Sequence, residues 1–132
     1  CLARAGVEYV ADWVLDDEPV DIQTTEGRMV SVPYTVETND ICMMALQQHS
    51  SDEMFRRCKD QFDQLYKESE KSARVMSVSL HMYLTGAPHR IRYLEEFYRY
   101  ILDKPDVAIM TGEQILDWYV GERPDGAAPA AG

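Results

Sequence analysis

Apolar positions change their spacing several times along this chain, and each change predicts an element. Leu2 and Ala3 precede Gly6, a natural helix C-cap, and Val7 to Val10 then form a short apolar run that suits a strand. The stretch "VDIQTTEGRMVSVPYT" alternates around Glu26-Gly27, predicting a two-stranded hairpin whose second strand Pro33 either places at an edge or ends. "NDICMMALQQ" has a mixed period and is read as a short helix. The period then becomes helical: Phe55, Cys58, Phe62, Leu65 and Tyr66 fall on one stripe behind a Ser50/Glu53 capping-box pattern. Val75 to Leu80 reads as a strand. Pro88 opens a further helix with Ile91, Leu94, Phe97, Tyr98 and Ile101 on its apolar face, ended by Lys104-Pro105. Val107 to Met110 reads as a last strand. Thr111 and Gln114 form a second capping-box pattern, ahead of Ile115, Leu116, Trp118 and Tyr119.

Strands alternating with helices of this length predict an α/β fold with βαβ units and a parallel sheet. Such units need neighbours: a few of them alone leave an unpaired sheet edge, which favours association between copies, a homo-oligomer included. The chain opens on Cys1, not Met, within a helix-like stretch, so the expectation is a portion of a longer protein. Residues 1–120 carry the pattern, and the tail "GERPDGAAPAAG" at 121–132 reads as disordered on composition.

Alternation within the strand Val75–Leu80 assigns two faces. Met76, Val78 and Leu80 suit packing against helices. Val75, Ser77 and Ser79 share the other face with His81, which this places at the strand's carboxyl end. In α/β barrels that end carries the active site. An imidazole there can deliver a proton near neutral pH. The plainer reading is a satisfied structural histidine. His89 and Arg90 follow in "TGAPHRI"; the plain reading of both is solvated residues of a helix's first turn, and the sharper one for Arg90 is an anion contact. Asp12 beside Trp13 suits the wall of a pocket, with core packing as its alternative. "VPYTVETND" joins a Pro33-Tyr34 corner to Asn39 and Asp40, which either line a pocket or cap the following helix.

Charge and composition narrow the partners. The net charge is −10, from 23 acidic and 13 basic residues, so no cationic patch is expected for a nucleic acid or an anionic membrane. No apolar run reaches the length of a membrane span. Three cysteines (Cys1, Cys42 and Cys58) with no C-x-x-C pair suggest reduced thiols and a cytoplasmic setting. There is no H-x-x-x-H or H-E-x-x-H, and no carboxylate lies in the turn between His81 and His89, so no metal site is expected within the chain. Nor is there a G-x-S-x-G, Walker or G-x-G-x-x-G motif.

Four segments in order, "GVEYVADWVLDDEP", "GRMVSVPYTVETNDI", "RVMSVSLHMYLTGAPHRI" and "VAIMTGEQILDWY", resemble the C-terminal part of the polysaccharide deacetylase (NodB-homology) superfamily. The branch is that of peptidoglycan-deacetylase-like, allantoinase-type and cyclic imide hydrolase proteins. The resemblance implies a deformed (β/α) barrel of about seven strands in the complete domain. It also implies hydrolysis of a carbon–nitrogen bond other than a peptide bond, on a glycan or small-molecule substrate. His81 falls at the leucine-histidine motif, whose histidine protonates the leaving nitrogen; Asp12 and Trp13 fall at the aspartate-tryptophan motif. His89 and Arg90 belong to the branch's signature without an assigned role. In metal-dependent members the ligands, and hence a divalent metal such as zinc, belong to the N-terminal half. Ring opening of a cyclic ureide or imide and a non-catalytic truncated fragment are the rival readings.

Overall fold

The structure, a computed structural model, describes residues 2–123. It divides into two compact units. One comprises the chain up to Tyr34 together with the segment from Ile109 onward; the other is Thr35–Ala108.

The first unit holds a three-stranded sheet and one helix. A 3-10 turn at Ala3–Ala5 ends on Gly6, whose φ of 84° is the left-handed conformation that only glycine adopts freely. Strand β1 (Tyr9–Val10) follows, then β2 (Val20–Thr24) and β3 (Gly27–Ser31). The sheet order is β1-β3-β2, with β3 antiparallel to β2 and parallel to β1. The hairpin is where the alternation puts it, and Pro33 follows β3 instead of lying in it. Because β3 is the middle strand, Pro33 ends it and does not mark an edge. The sheet is mixed: its parallel β1–β3 pair stands beside the expected hairpin, whose two-residue turn at Thr25-Glu26 can join only antiparallel strands.

Helix α3 (Gly112–Glu122, numbered in chain order with those below) packs Leu116 and Tyr119 onto Val30 and Val32 of the sheet side. Its start is the predicted capping box: Thr111 Oγ1 accepts from the Gln114 amide at 3.2 Å, and Gln114 Oε1 accepts from the Thr111 amide at 2.8 Å. Arg28 ties the hairpin together. Its Nε donates to Asp21 Oδ1 at 2.5 Å across the ladder, and its Nη1 donates to the Arg123 carbonyl at 3.0 Å. The helix runs two residues into the segment whose composition suggested a tail; from residue 124 onward that tail, like Cys1, lies outside the described residues.

The second unit is built on two helices, α1 (Glu53–Glu68) and α2 (Ile91–Leu102). Met54, Cys58, Phe62 and Leu65 recur at helical spacing on α1 and are buried. Met54, Cys58 and Phe62 join Met43, Phe97 and Ile101 in the core of the unit. Phe62 is its centre, meeting Phe97 edge-on at 6.4 Å, Tyr100 edge-on at 6.0 Å and Tyr66 in a stack at 5.5 Å. The Ser50/Glu53 capping box does not form. The helix begins behind Asp52 with no side-chain cap, and the Glu53 carboxylate is taken by Arg56 and Arg57. The helix starts at Glu53 itself, which leaves Ser50 too far back to serve as its N-cap.

Two strand expectations change. Among the described residues, Val75–Leu80 makes a single parallel bridge, Ser79 with Asn39, and Val107–Met110 is extended but unpaired. Alternating side chains suit a strand, but a ladder also needs a run of paired backbone, and Val75–Leu80 pairs with its neighbour at that one bridge only. The face assignment still holds in part: Met76 and Val78 pack against the helical core. Pro88 does not start α2, which begins three residues later after a series of turns. The "NDICMMALQQ" helix is a wide, π-type turn at Ile41–Leu46. No helix among the described residues is long and apolar enough to cross a membrane.

Candidate active site

Two short extended segments run side by side in the second unit. The Ser79 amide donates to the Thr38 carbonyl at 3.0 Å, and the Asp40 amide donates to the Ser79 carbonyl at 3.1 Å. Thr38 Oγ1 adds a bond to the Ser77 carbonyl at 2.7 Å. This pairing carries Asp40, 41 positions earlier in the chain, next to His81.

Asp40 is fully buried, and its carboxylate accepts three hydrogen bonds. Oδ2 takes the His81 backbone amide and the Thr85 hydroxyl, each at 2.7 Å; Oδ1 lies 2.7 Å from His81 Nδ1. Burial pushes the Asp40 carboxyl upward, but the bonds from Thr85 and from the His81 amide and ring outweigh it and hold the group below its ordinary value. Asp40 is therefore an anion near neutral pH, and Nδ1 must be the donor. The proton on Nδ1 fixes the ring's orientation and leaves Nε2 as the nitrogen that can exchange a proton with a substrate.

The turn after His81 returns Thr85 to the carboxylate. The Leu84 and Thr85 amides both donate to the His81 carbonyl, at 2.9 and 3.0 Å. Gly86 allows the close approach: a Cβ there would lie 2.3 Å from the Met82 carbonyl oxygen. Thr85 is buried, whereas the His81 side chain is 35% exposed. Beside the imidazole, the exposed Tyr83 ring stands 5.7 Å away, centroid to centroid.

The sequence-predicted residues divide accordingly. His81 and Asp40 come together. Asn39 is buried at the bridge to Ser79, and its Oδ1 accepts from the Ile41 amide at 2.9 Å, so it caps the turn that follows. His89 is exposed. Arg90 folds back toward the turn, with Nη1 3.5 Å from the Leu84 carbonyl and Nε buried without a partner among the described residues. Asp12, Trp13 and Tyr34 belong to the other unit; the first two are exposed and Tyr34 is half-buried. The expectation that no carboxylate stands near His81 is overturned, because the partner comes from a distant segment and not from the turn itself. Thr85 was not singled out by sequence; its place four residues after the histidine, in the first turn beyond a strand end, is the signal that points to it.

No group of three or more His, Cys, Asp or Glu among the described residues is arranged to hold a metal ion. Asp40 has both oxygens engaged, and His81 offers only Nε2. These residues do not form a metal site on their own.

No family model matches the chain. A curated relative, the "Putative polysaccharide deacetylase" of Schizosaccharomyces pombe, is 36% identical over 98 residues, covering 73% of this chain and 31% of its own length. The crystal structure of a "probable Polysaccharide deacetylase" from Pseudomonas aeruginosa PAO1 superposes with a TM-score of 0.85 at 31% identity, covering 93% of this chain and 42% of the other. That of Puue allantoinase superposes with a TM-score of 0.86 at 28% identity, again covering 93% of this chain and 42% of the other. The chain thus spans less than half the length of each of these proteins. In sequence and in fold it belongs to the polysaccharide deacetylase (NodB-homology) superfamily, and it matches the C-terminal portion of that fold.

Proposed function

We propose that the chain is part of a hydrolase of carbon–nitrogen, non-peptide bonds, of the polysaccharide deacetylase type, in which His81 is the general acid. The observation that carries this reading is the buried Asp40 anion bonded to His81 Nδ1. An aspartate in that position fixes the ring and stabilises it when protonated, as an acid catalyst requires. In the complete protein, a base from outside the described residues takes one proton from water as its oxygen bonds to the amide carbon. The carbon–nitrogen bond then breaks as Nε2–H of the imidazolium passes its proton to the departing nitrogen, leaving a neutral imidazole that Asp40 continues to hold. The described residues do not fit a metal, and no step here is routed through one. The complete domain is inferred to be a deformed barrel, with residues 2–123 supplying a mixed sheet and three helices of it.

The substrate is proposed as an N-acylated glycan. The likeness to Puue allantoinase supports a second reading with the same proton donor, the ring opening of a cyclic ureide. A glycan or small molecule as partner is what the family likeness supports, and the acidic composition argues against a nucleic acid. A cytoplasmic setting is supported only by cysteine usage; Cys58, buried and pushed up to about 12, is held as an inert thiol.

The test is steady-state turnover by the full-length protein of an N-acetylated glucosamine oligomer and of a cyclic ureide. Acetate release from the first, abolished in His81→Ala, is the expected result. Turnover of the ureide alone replaces the substrate assignment. Undiminished turnover by His81→Ala on both defeats the general-acid reading.

A further inference from the structure

Asp40 receives two of its three bonds from His81 itself. The third, from the Thr85 hydroxyl, is the one that comes from another residue. That hydroxyl has no freedom to leave. Thr85 is buried, its amide is bonded back to the His81 carbonyl, and the turn beyond it closes over Gly86, where the Met82 carbonyl would collide with any side chain. We propose that Thr85 is a positioning residue: its hydroxyl takes up part of the Asp40 charge at Oδ2 and so sets how strongly Asp40 holds the proton of the His81 ring.

The physical argument is one of competition for a buried anion. A carboxylate removed from water draws on whatever donors remain. With Thr85 in place, charge is shared between Oδ2 and Oδ1. Without it, more of the charge faces the imidazole, the imidazolium becomes more stable, and its proton is harder to give away. The groups that titrate here are Asp40 and His81 themselves and Tyr83, whose ring lies 5.7 Å from the imidazole. Thr85 is neutral and acts only through its hydrogen bond. The kinetic consequence rests on the general-acid reading; the coupling between Thr85 and His81 does not.

The experiment uses two readouts on the full-length protein. The first is the NMR titration of the His81 imidazole, which needs no substrate. Thr85→Val is expected to raise its midpoint above the parent's, and Thr85→Ser to restore the parent value. The second is turnover of whichever probe the parent cleaves, the N-acetylated glucosamine oligomer or the cyclic ureide. Thr85→Val is expected to lower kcat on the order of tenfold, the scale of one hydrogen bond to a charged group, with KM nearly unchanged and Thr85→Ser recovering most of the loss. If Thr85→Val does not fold, Thr85→Ala, which removes the hydroxyl with a smaller side chain, is read by the same midpoint. A midpoint equal to the parent's in the folded variant overturns the proposal. A raised midpoint alongside undiminished turnover by His81→Ala upholds the coupling and defeats the general-acid reading instead, so the two failures are told apart.

Discussion

The helix pair α1–α2 and the segment from Ser77 to Arg90 lie in the same unit and are held by different forces. The helices meet through Met54, Cys58, Phe62, Phe97 and Ile101, with no hydrogen bond needed between those side chains. The 77–90 segment has one bridge, a series of turns and half-buried or exposed residues around a sealed polar cluster, Asp40 with Thr85. Apolar burial is tolerant of direction and supplies stability. Three hydrogen bonds on one carboxylate demand direction, and what they supply is the aim of an imidazole. Substitutions in the two regions should therefore separate chemistry from stability.

The largest effect is expected at His81. General acid catalysis contributes about 10²- to 10⁴-fold, so His81→Ala in the full-length protein should lose kcat in that range with KM changed much less. Its thermal midpoint should fall only modestly: the ring is partly exposed, but its loss takes from the buried Asp40 carboxylate one hydrogen bond worth about 1.5–3 kcal/mol. Phe97→Ala is the reverse case. Phe97 is buried against Phe62, and its loss should cost about 3–5 kcal/mol of stability by chemical denaturation, with the turnover of the fraction that stays folded close to normal. A Phe97 variant that is stable but inactive would collapse the distinction between the two regions.

A smaller effect follows from acid. The Asp40 carboxyl is held below its ordinary value in the folded protein, so the unfolded chain binds its proton more readily. Stability from this group is then fully present above the unfolded value of about 3.9. It is lost as the pH falls through the lower, folded value. Thermal unfolding of the parent and of Asp40→Asn, followed from pH 6 to pH 2.5, should show a difference that shrinks below about pH 4. A difference that is constant with pH would mean that the three bonds at Asp40 do not favour its anion.

What could be read in the sequence follows the range of the interaction. The helical stripes, the hairpin and the Thr111/Gln114 cap are local, and they appear largely as expected, with Tyr98 turned outward and the hairpin turn one residue earlier, at Thr25-Glu26. His81 at a strand end was legible from alternation and, for its role, from resemblance. Asp40 was noticed only as a helix cap or pocket residue, because the bond that gives it meaning crosses 41 positions and leaves no periodic trace. Asn39 did the capping instead. The stretch Val75–Leu80 follows its expected faces at Met76 and Val78 but not at the exposed Leu80, and its ladder shrinks to one bridge, since alternation does not report which neighbour pairs with a segment.

The smallest effect separates two identical-looking signals, one in each unit. Ser50/Glu53 and Thr111/Gln114 both read as capping boxes, yet only the second forms. At Thr111 both reciprocal bonds are made, and no charged residue competes for the neutral Gln114 amide. At Ser50 the partner is a charged glutamate with Arg56 and Arg57 one turn away, and the helix begins at Glu53 itself, leaving Ser50 too far back to cap it. Thr111→Ala should therefore destabilise the full-length protein by about 1 kcal/mol, the usual value of an N-cap. Ser50→Ala should stay within about 0.5 kcal/mol, as exposed substitutions do. Replacing both arginines, as Arg56→Gln with Arg57→Gln, frees the Glu53 carboxylate but does not move the helix start, so Ser50→Ala in that background should remain just as mild. Should Ser50→Ala instead cost as much as Thr111→Ala there, the competition from the arginines, and not the position of the first turn, is what keeps the box from forming.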